Sequence, residues 1–259
     1  MSVEPVITGD VRVSVDGAVV TVVIDRPAKR NALTQAMYRV LADTLLAADD
    51  DAGVGAVVVT GAEGAFTSGN DLADFAAGAS LDQVVRFLSA IATVEVPVVA
   101  AVNGLAIGVG LTMLLHVDLV YVEPDAKLSV PFVSLGLVPE AASSLLLPRM
   151  VGPRHAAELL LAGRTIDGTE AVAWGLANAV ASPVLDAALE AAHRLAAQPP
   201  AAVRATKALL RSEEGTVAGR MAEEMEAFGA ALLGAEFAEV IAARRDRRDP
   251  VFGGRPPPG

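Results

Sequence analysis

Three short apolar runs, Ala56–Thr60, Val98–Val102 and Leu119–Val122, alternate with longer segments of helical or glycine-rich character. Runs this short and this uniformly apolar read as strands buried on both faces, as parallel sheets covered by helices require. Between them, Leu81–Thr93 and Leu111–His116 read as helices. Upstream, Ala32–Ala48 carries Leu33, Met37, Val40, Leu41 and Leu45 at helical spacing. Ahead of it, Val11–Val15 and Ala18–Asp25 flank Asp16-Gly17, a strong hairpin signal. Strand–helix–strand alternation predicts an α/β fold. From about Pro153 the pattern becomes helical, with segments at His155–Leu161, Thr169–Trp174, Val184–Ala197, Ala201–Arg211, Val217–Leu233 and Ala235–Arg247. The Gly/Pro-rich end, Gly253–Gly259, is expected to be loose.

The 259 residues suit one large domain, or one with a small appendage. Hydrophobic residues make up 53% of the chain, and mean hydropathy is +0.48. No run reaches the roughly 18 apolar residues of a membrane helix. The longest candidate, Val96–Leu115, is interrupted by Pro97, Asn103, Gly104, Gly108 and Gly110. The surplus apolar surface is therefore expected in a large core or in contacts between subunits. Cysteine is absent, which excludes disulfides, thiolate catalysis and cysteine-held metals. No secretory leader is visible in Met1–Asp10, so a cytoplasmic location is expected. The net charge of −11 argues against nucleic-acid binding. An anionic ligand would need local cations to offset that field.

Four stretches could carry chemistry. Phe66-Thr-Ser-Gly-Asn-Asp-Leu72 leaves a strand through a glycine-rich loop, either an ordinary turn or one bringing backbone N–H groups to a ligand. In Asn103-Gly-Leu-Ala-Ile-Gly-Val-Gly-Leu111, Gly108 and Gly110 flank Val109 just before a helical run. A helix start offers unpaired N–H groups to a developing oxyanion, although such glycines also serve close packing. Glu140 stands alone among apolar and small neighbours, as a solvent-facing first-turn residue or as a single proton carrier. Arg244-Arg-Asp-Arg-Arg248 reads as a solvated helix end or a phosphate-binding edge. The isolated His116, His155 and His193 have no metal-ligand spacing, and His116 reads as a core histidine. G-x-S-x-G and G-x-x-x-x-G-K-[ST] are absent.

Taken in order, Asp25-Arg-Pro-Ala-Lys-Arg-Asn-Ala-Leu33, Phe66–Leu72, Ala101-Val-Asn-Gly-Leu-Ala-Ile-Gly-Val-Gly110 and Ala171-Val-Ala-Trp-Gly-Leu-Ala-Asn178 resemble the crotonase, or enoyl-CoA hydratase/isomerase, superfamily. The resemblance spans about Val11 to Phe252. It implies a crotonase-like spiral of ββα units as a core over residues 1–195, and a helical trimerisation region over 196–259. It implies a homotrimer or hexamer, no partner nucleic acid or membrane, and no cofactor beyond the coenzyme A that belongs to an acyl-CoA substrate. By motif position, the backbone N–H groups of Asn70 and Val109 form an oxyanion hole, beside Asp71 and Gly108. Ala28, Arg30, Ser68 and Leu72 would lie near the adenine and phosphates, and Arg247, Arg248 and Phe252 would reach them from a neighbouring subunit.

The two positions where family hydratases carry glutamates are Thr112 and Phe132 here. The pattern Ser-Gly-Asn-Asp-Leu with Pro131-Phe132 and Pro139-Glu140 resembles the Δ3,Δ2-enoyl-CoA isomerases, in which a glutamate at the position of Glu140 is the single base. Leu137, Val138 and Ala141 are expected to desolvate it and raise its pKa. The resemblance thus implies an isomerase of fatty acid oxidation. A hydratase-like enzyme for another CoA ester, or a non-catalytic CoA-ester-binding assembly subunit, are the alternatives.

Overall fold

The computed structural model describes residues 3–71, 73–74, 81–211 and 217–252. Among the described residues, nine strands make two sheets. The large one has seven strands in the order β1-β2-β3-β4-β5-β7-β9, and β6 pairs with β8 in a small second one. Strands β1 (Val3–Thr8), β2 (Val11–Asp16) and β3 (Val19–Ile24) are antiparallel neighbours. From β3 onward the sheet is parallel, through β4 (Ala56–Gly61), β5 (Val98–Val102), β7 (Leu119–Val122) and β9 (Ala179–Val180). The expected hairpin is present, with Asp16 opposite Val19 across Gly17-Ala18.

Every residue of β4 and β5 is buried, because both faces of the parallel region are covered. Val57, Val59, Val98, Ala100 and Val102 belong to the main core with the inner faces of α1 (Gln35–Asp50) and α2 (Asp82–Thr93). Ala56, Val58, Val99 and Ala101 face the other way, onto Val184, Ala188 and Ala192 of the long helix Val184–Ala196. This two-sided burial is what the uniform apolar runs predict.

Helix α1 starts later than the apolar pattern suggests. Thr34 is its N-cap and accepts from the Met37 N–H at 3.3 Å, which satisfies an otherwise orphaned donor. Leu33 instead forms a bridge with Asn70, its N–H donating to the Gly69 carbonyl at 2.8 Å. Sequence periodicity also misses β6 (Leu105–Ile107) and β8 (Lys127–Ser129), each too short to show alternation. It misses the helix Ser143–Val151 as well, whose interior Pro148 reads as a breaker.

The C-terminal third is helical, as expected. Pro200–Arg211 is clamped to the core by three cations: Arg204 pairs with Asp49 at 2.9 Å, buried Lys207 with Asp118 at 2.7 Å, and Arg211 donates to the Ala92, Val94 and His116 carbonyls at 2.8–3.0 Å. Beyond it, helix Val217–Leu232 leaves Met221, Met225, Phe228 and Leu232 exposed at helical spacing. Among the described residues no helix is long and apolar enough to cross a membrane.

Candidate active site

Two loops leave the C-terminal ends of β4 and β5 and run side by side. The Ile107 N–H donates to the Thr67 carbonyl at 3.0 Å, and Thr67 bridges Ala106. Asn31 anchors the first of these loops. Fully buried and left-handed at φ 59°, it donates through Nδ2 to the Ala62 and Ala65 carbonyls at 2.8 and 2.5 Å. Its own carbonyl accepts from Thr67 Oγ1 at 2.7 Å, and that hydroxyl accepts from the Gly69 N–H at 3.1 Å.

Gly69 and Gly108 then turn the two loops with φ of +94° and +58°. At Gly69 a Cβ would stand 2.9 Å from the Ile107 carbonyl oxygen; at Gly108 the ψ of −118° leaves glycine as the residue that fits without strain. The N–H that follows each turn is that of Asn70 or of Val109. Among the described residues neither N–H meets a protein acceptor. Gly110 lets the helical turn close in, since a Cβ there would lie 2.7 Å from Thr67 Cγ2.

Glu140 stands opposite this helical turn. Thr112, fully buried, donates its hydroxyl to Glu140 Oε1. The second carboxylate oxygen, Oε2, is buried without a partner among the described residues. Burial raises the Glu140 pKa above the ordinary carboxylate range, and the Thr112 hydrogen bond pulls it partly back. Tyr38 of α1 approaches from the third side. Its hydroxyl donates to Asn70 Oδ1, and its pKa is raised well above the usual value by burial and by the nearby Glu140 charge. The Tyr38 ring packs on Phe87 of α2, centroids 5.5 Å apart.

The backbone after Glu140 is unusual. Ala141 and Ala142 are both left-handed, at φ 53° and 52°, a conformation that costs an alanine about 1–2 kcal/mol. Ser143 answers the turn by donating to the Glu140 carbonyl through its N–H at 3.0 Å and its Oγ at 2.6 Å. Glu140 therefore precedes the helix rather than opening its first turn.

A family model described as enoyl-CoA hydratase/isomerase matches residues 14–255. The chain belongs to the enoyl-CoA hydratase/isomerase family. A probable enoyl-CoA hydratase of Mycobacterium tuberculosis is 39% identical over 208 residues, covering 78% of this chain and 81% of that protein. Enoyl-CoA delta isomerase 2 of Rattus norvegicus is 36% identical over 214 residues, 78% of this chain and 54% of the rat protein. An enoyl-CoA hydratase/isomerase structure from Pseudoalteromonas atlantica T6c superposes with a TM-score of 0.76 at 40% identity, covering 94% of this chain and 100% of that chain.

For this family member, the structure gathers Asn70, Val109, Gly108 and Glu140 around one region, with Phe132 buried on the preceding loop. Asp71 turns instead toward Arg26, pairing at 2.6 Å. That guanidinium, with the Ala73 N–H, holds the Asp71 carboxyl below its usual pKa. The pair joins this loop to the Arg26 turn. Ala28 and Arg30 are exposed on the turn beside Ser68, whose hydroxyl donates to the Lys29 carbonyl at 3.2 Å and whose N–H donates to the Arg30 carbonyl at 3.0 Å. Leu72 lies outside the described residues.

Arg248 is paired with Glu239 at 2.5 Å, and with Phe252 it lines a separate cavity of about 600 Å³ beside the β2–β3 hairpin, while Arg247 is exposed. Within the described residues of one chain, none of these three contacts Glu140. The expected rise of the Glu140 pKa through burial is present, while Leu137 and Val138 themselves are 53% and 79% exposed. Sequence reading also passed over Tyr38 and Asn31, although Asn31 lies within a motif it quoted.

Proposed function

We propose that the protein is an enoyl-CoA isomerase that moves a double bond from the 3,4 to the 2,3 position of an acyl-CoA thioester, using Glu140 as the one base. The supporting observation is a buried carboxylate with one oxygen that meets no partner among the described residues, together with two backbone donors that meet no acceptor among them. Thr112 and Phe132, where a hydratase would need its glutamates, cannot hold and polarise a water as carboxylates do.

Glu140 takes a proton from C2; the electrons of that C–H bond form a C1–C2 double bond while the carbonyl π electrons move onto the thioester oxygen, giving a dienolate conjugated with the C3–C4 double bond. That oxygen faces the N–H groups of Asn70 and Val109. The protonated Glu140 then delivers the proton to C4, leaving a double bond between C2 and C3. One carboxyl serves both steps because both carbons lie on one face of the planar dienolate. One oxyanion donor is worth about 2.7–4 kcal/mol, and general-base help of about 10²–10⁴ corresponds to roughly 3–5 kcal/mol. The two amides together match or exceed the base. The exposed stripe of Met221, Met225, Phe228 and Leu232 supports a homo-oligomer, read here as a trimer. Arg30 and a neighbour's C-terminal arginines would meet the CoA phosphates against the overall charge of −11.

The test is turnover of 3-enoyl-CoA to 2-enoyl-CoA, followed beside hydration of 2-enoyl-CoA. Faster hydration would favour the second reading, a hydratase-like enzyme, which the name of the mycobacterial relative supports. Turnover of neither ester, nor of other CoA esters, would leave a CoA-ester binder. The base must be ionised to act, so kcat/KM should rise with pH through a limb above the ordinary carboxylate range. Thr112→Val removes the hydrogen bond that lowers the Glu140 pKa. Its acidic limb should therefore move to still higher pH, and an unmoved or lowered limb would break the assignment.

A further inference from the structure

We infer that His116 is a positioning residue which, with Thr112, sets where the Glu140 carboxylate stands relative to the oxyanion donors. This rests on the reading of Glu140 as the base. The argument starts from one helical segment, Val109–Thr112 continued as a tight turn over Met113–His116. Its first N–H is the Val109 oxyanion donor. Three residues on, about 4.5 Å along the axis, Thr112 bonds the Glu140 side chain. Four residues further, at the end of the tight turn, His116 Nε2 lies 2.8 Å from the Ala141 carbonyl oxygen. A carbonyl can only accept, so Nε2 carries the proton and donates.

Thr112 therefore holds the side chain of Glu140 while His116 holds the peptide that follows it. The held peptide is the left-handed Ala141–Ala142 turn, which would otherwise relax toward ordinary backbone. Among the described residues, no other side chain from outside Glu140–Ser143 bonds the backbone of this turn. The segment itself is immobilised. Met113, Leu114 and Leu115 are buried, and Arg211 donates to the His116 carbonyl at 2.8 Å. Burial also lowers the His116 pKa, keeping the ring neutral with a single N–H. Oxyanion donor and base are thus mounted on one ruler.

The test compares His116→Phe, which keeps a ring but loses the donor, with His116→Gln, which keeps an N–H. The phenylalanine variant should lose about 10- to 100-fold in kcat, the scale of a base misplaced by around 1 Å, with KM for 3-enoyl-CoA within twofold of wild type. Its acidic limb in kcat/KM should shift to lower pH, because a loosened turn admits water to Glu140. The glutamine variant should keep kcat within about threefold. Unchanged kcat in His116→Phe, or equal losses in both variants, would overturn the inference. If the phenylalanine variant does not fold, His116→Gln decides alone: retained kcat supports the inference and a tenfold loss overturns it. Glu140→Gln assayed in parallel separates the two claims. Activity in that variant removes the base assignment itself, whereas an inactive Glu140→Gln beside an unaffected His116→Phe removes only the role of His116.

Discussion

Glu140→Gln is expected to lower kcat for 3-enoyl-CoA isomerisation by about 10²–10⁴-fold while acyl-CoA binding stays within a few-fold of wild type. Glutamine matches the shape of glutamate and can still accept from Thr112, but it takes no proton from carbon. The proposed oxyanion donors, the backbone N–H groups of Asn70 and Val109, are untouched by the change. Ligand titration beside stopped-flow turnover checks both halves, and a variant with more than about a tenth of wild-type kcat would refute the base assignment. The same variant carries a stability prediction of opposite sign. Burial raises the folded-state pKa of Glu140, so the folded chain binds the proton more tightly than the unfolded one. Stability from this group is fully present below the unfolded pKa and is lost as pH rises through the raised folded value. At neutral pH the charged carboxylate therefore costs stability, and Glu140→Gln should melt higher than wild type while being inactive. A lower Tm would mean that the carboxylate is a structural anchor.

The largest expected loss of stability is at Asp118→Ala, outside the proposed site. Lys207 is 5% exposed and has two partners, the Val96 carbonyl at 2.6 Å and Asp118 Oδ2 at 2.7 Å. The same Asp118 oxygen accepts from the Val98 N–H at 2.7 Å at the start of β5. Burial pushes the Lys207 pKa down, and Asp118 pulls it back up. Removing the carboxylate strands a buried ammonium and an edge donor together. Breaking a buried pair costs about 3–5 kcal/mol, and Asp118, about a quarter exposed, places the effect near the lower end. At about 2–4 °C per kcal/mol for a chain near this size, Tm should fall by roughly 6–12 °C. Lys207→Met should cost clearly less, since Asp118 keeps its Val98 bond and some water. The Asp118→Ala variant should also regain stability as pH climbs from the lowered folded pKa of Lys207 toward its unfolded value, where the unfolded chain binds the extra proton. Thermal melts across alkaline pH decide it, and equal losses in the two variants would sink the argument.

How much of this was legible in the sequence depends on the range of each interaction. Val98–Val102 is a strand in both the apolar pattern and the structure, because burial on two faces leaves a continuous signature. The loops bearing Asn70 and Val109 were marked by glycines whose conformations local sequence can announce. Tyr38 was not found, since helical spacing says which face of α1 is inward but not that a hydroxyl there meets Asn70, 32 residues away. Leu33 fits the helical stripe and is claimed instead by a bridge to the neighbouring loop. His116 looked like core filling because its partner, Ala141, offers only a backbone carbonyl, which no side-chain motif records. Leu137 and Val138 are apolar yet 53% and 79% exposed, because local composition does not say which side of a loop faces solvent.

The N–H groups of Asn70 and Val109, which meet no acceptor among the described residues, also make the protein its own isotopic sensor. An amide without an acceptor gives its hydrogen to heavy water far sooner than its bonded neighbours, and a thioester oxygen seated on it would close that route. Deuterium uptake at Asn70 and Val109 should therefore be fast in the free protein and slow with a non-reacting acyl-CoA bound, reporting occupancy without any turnover.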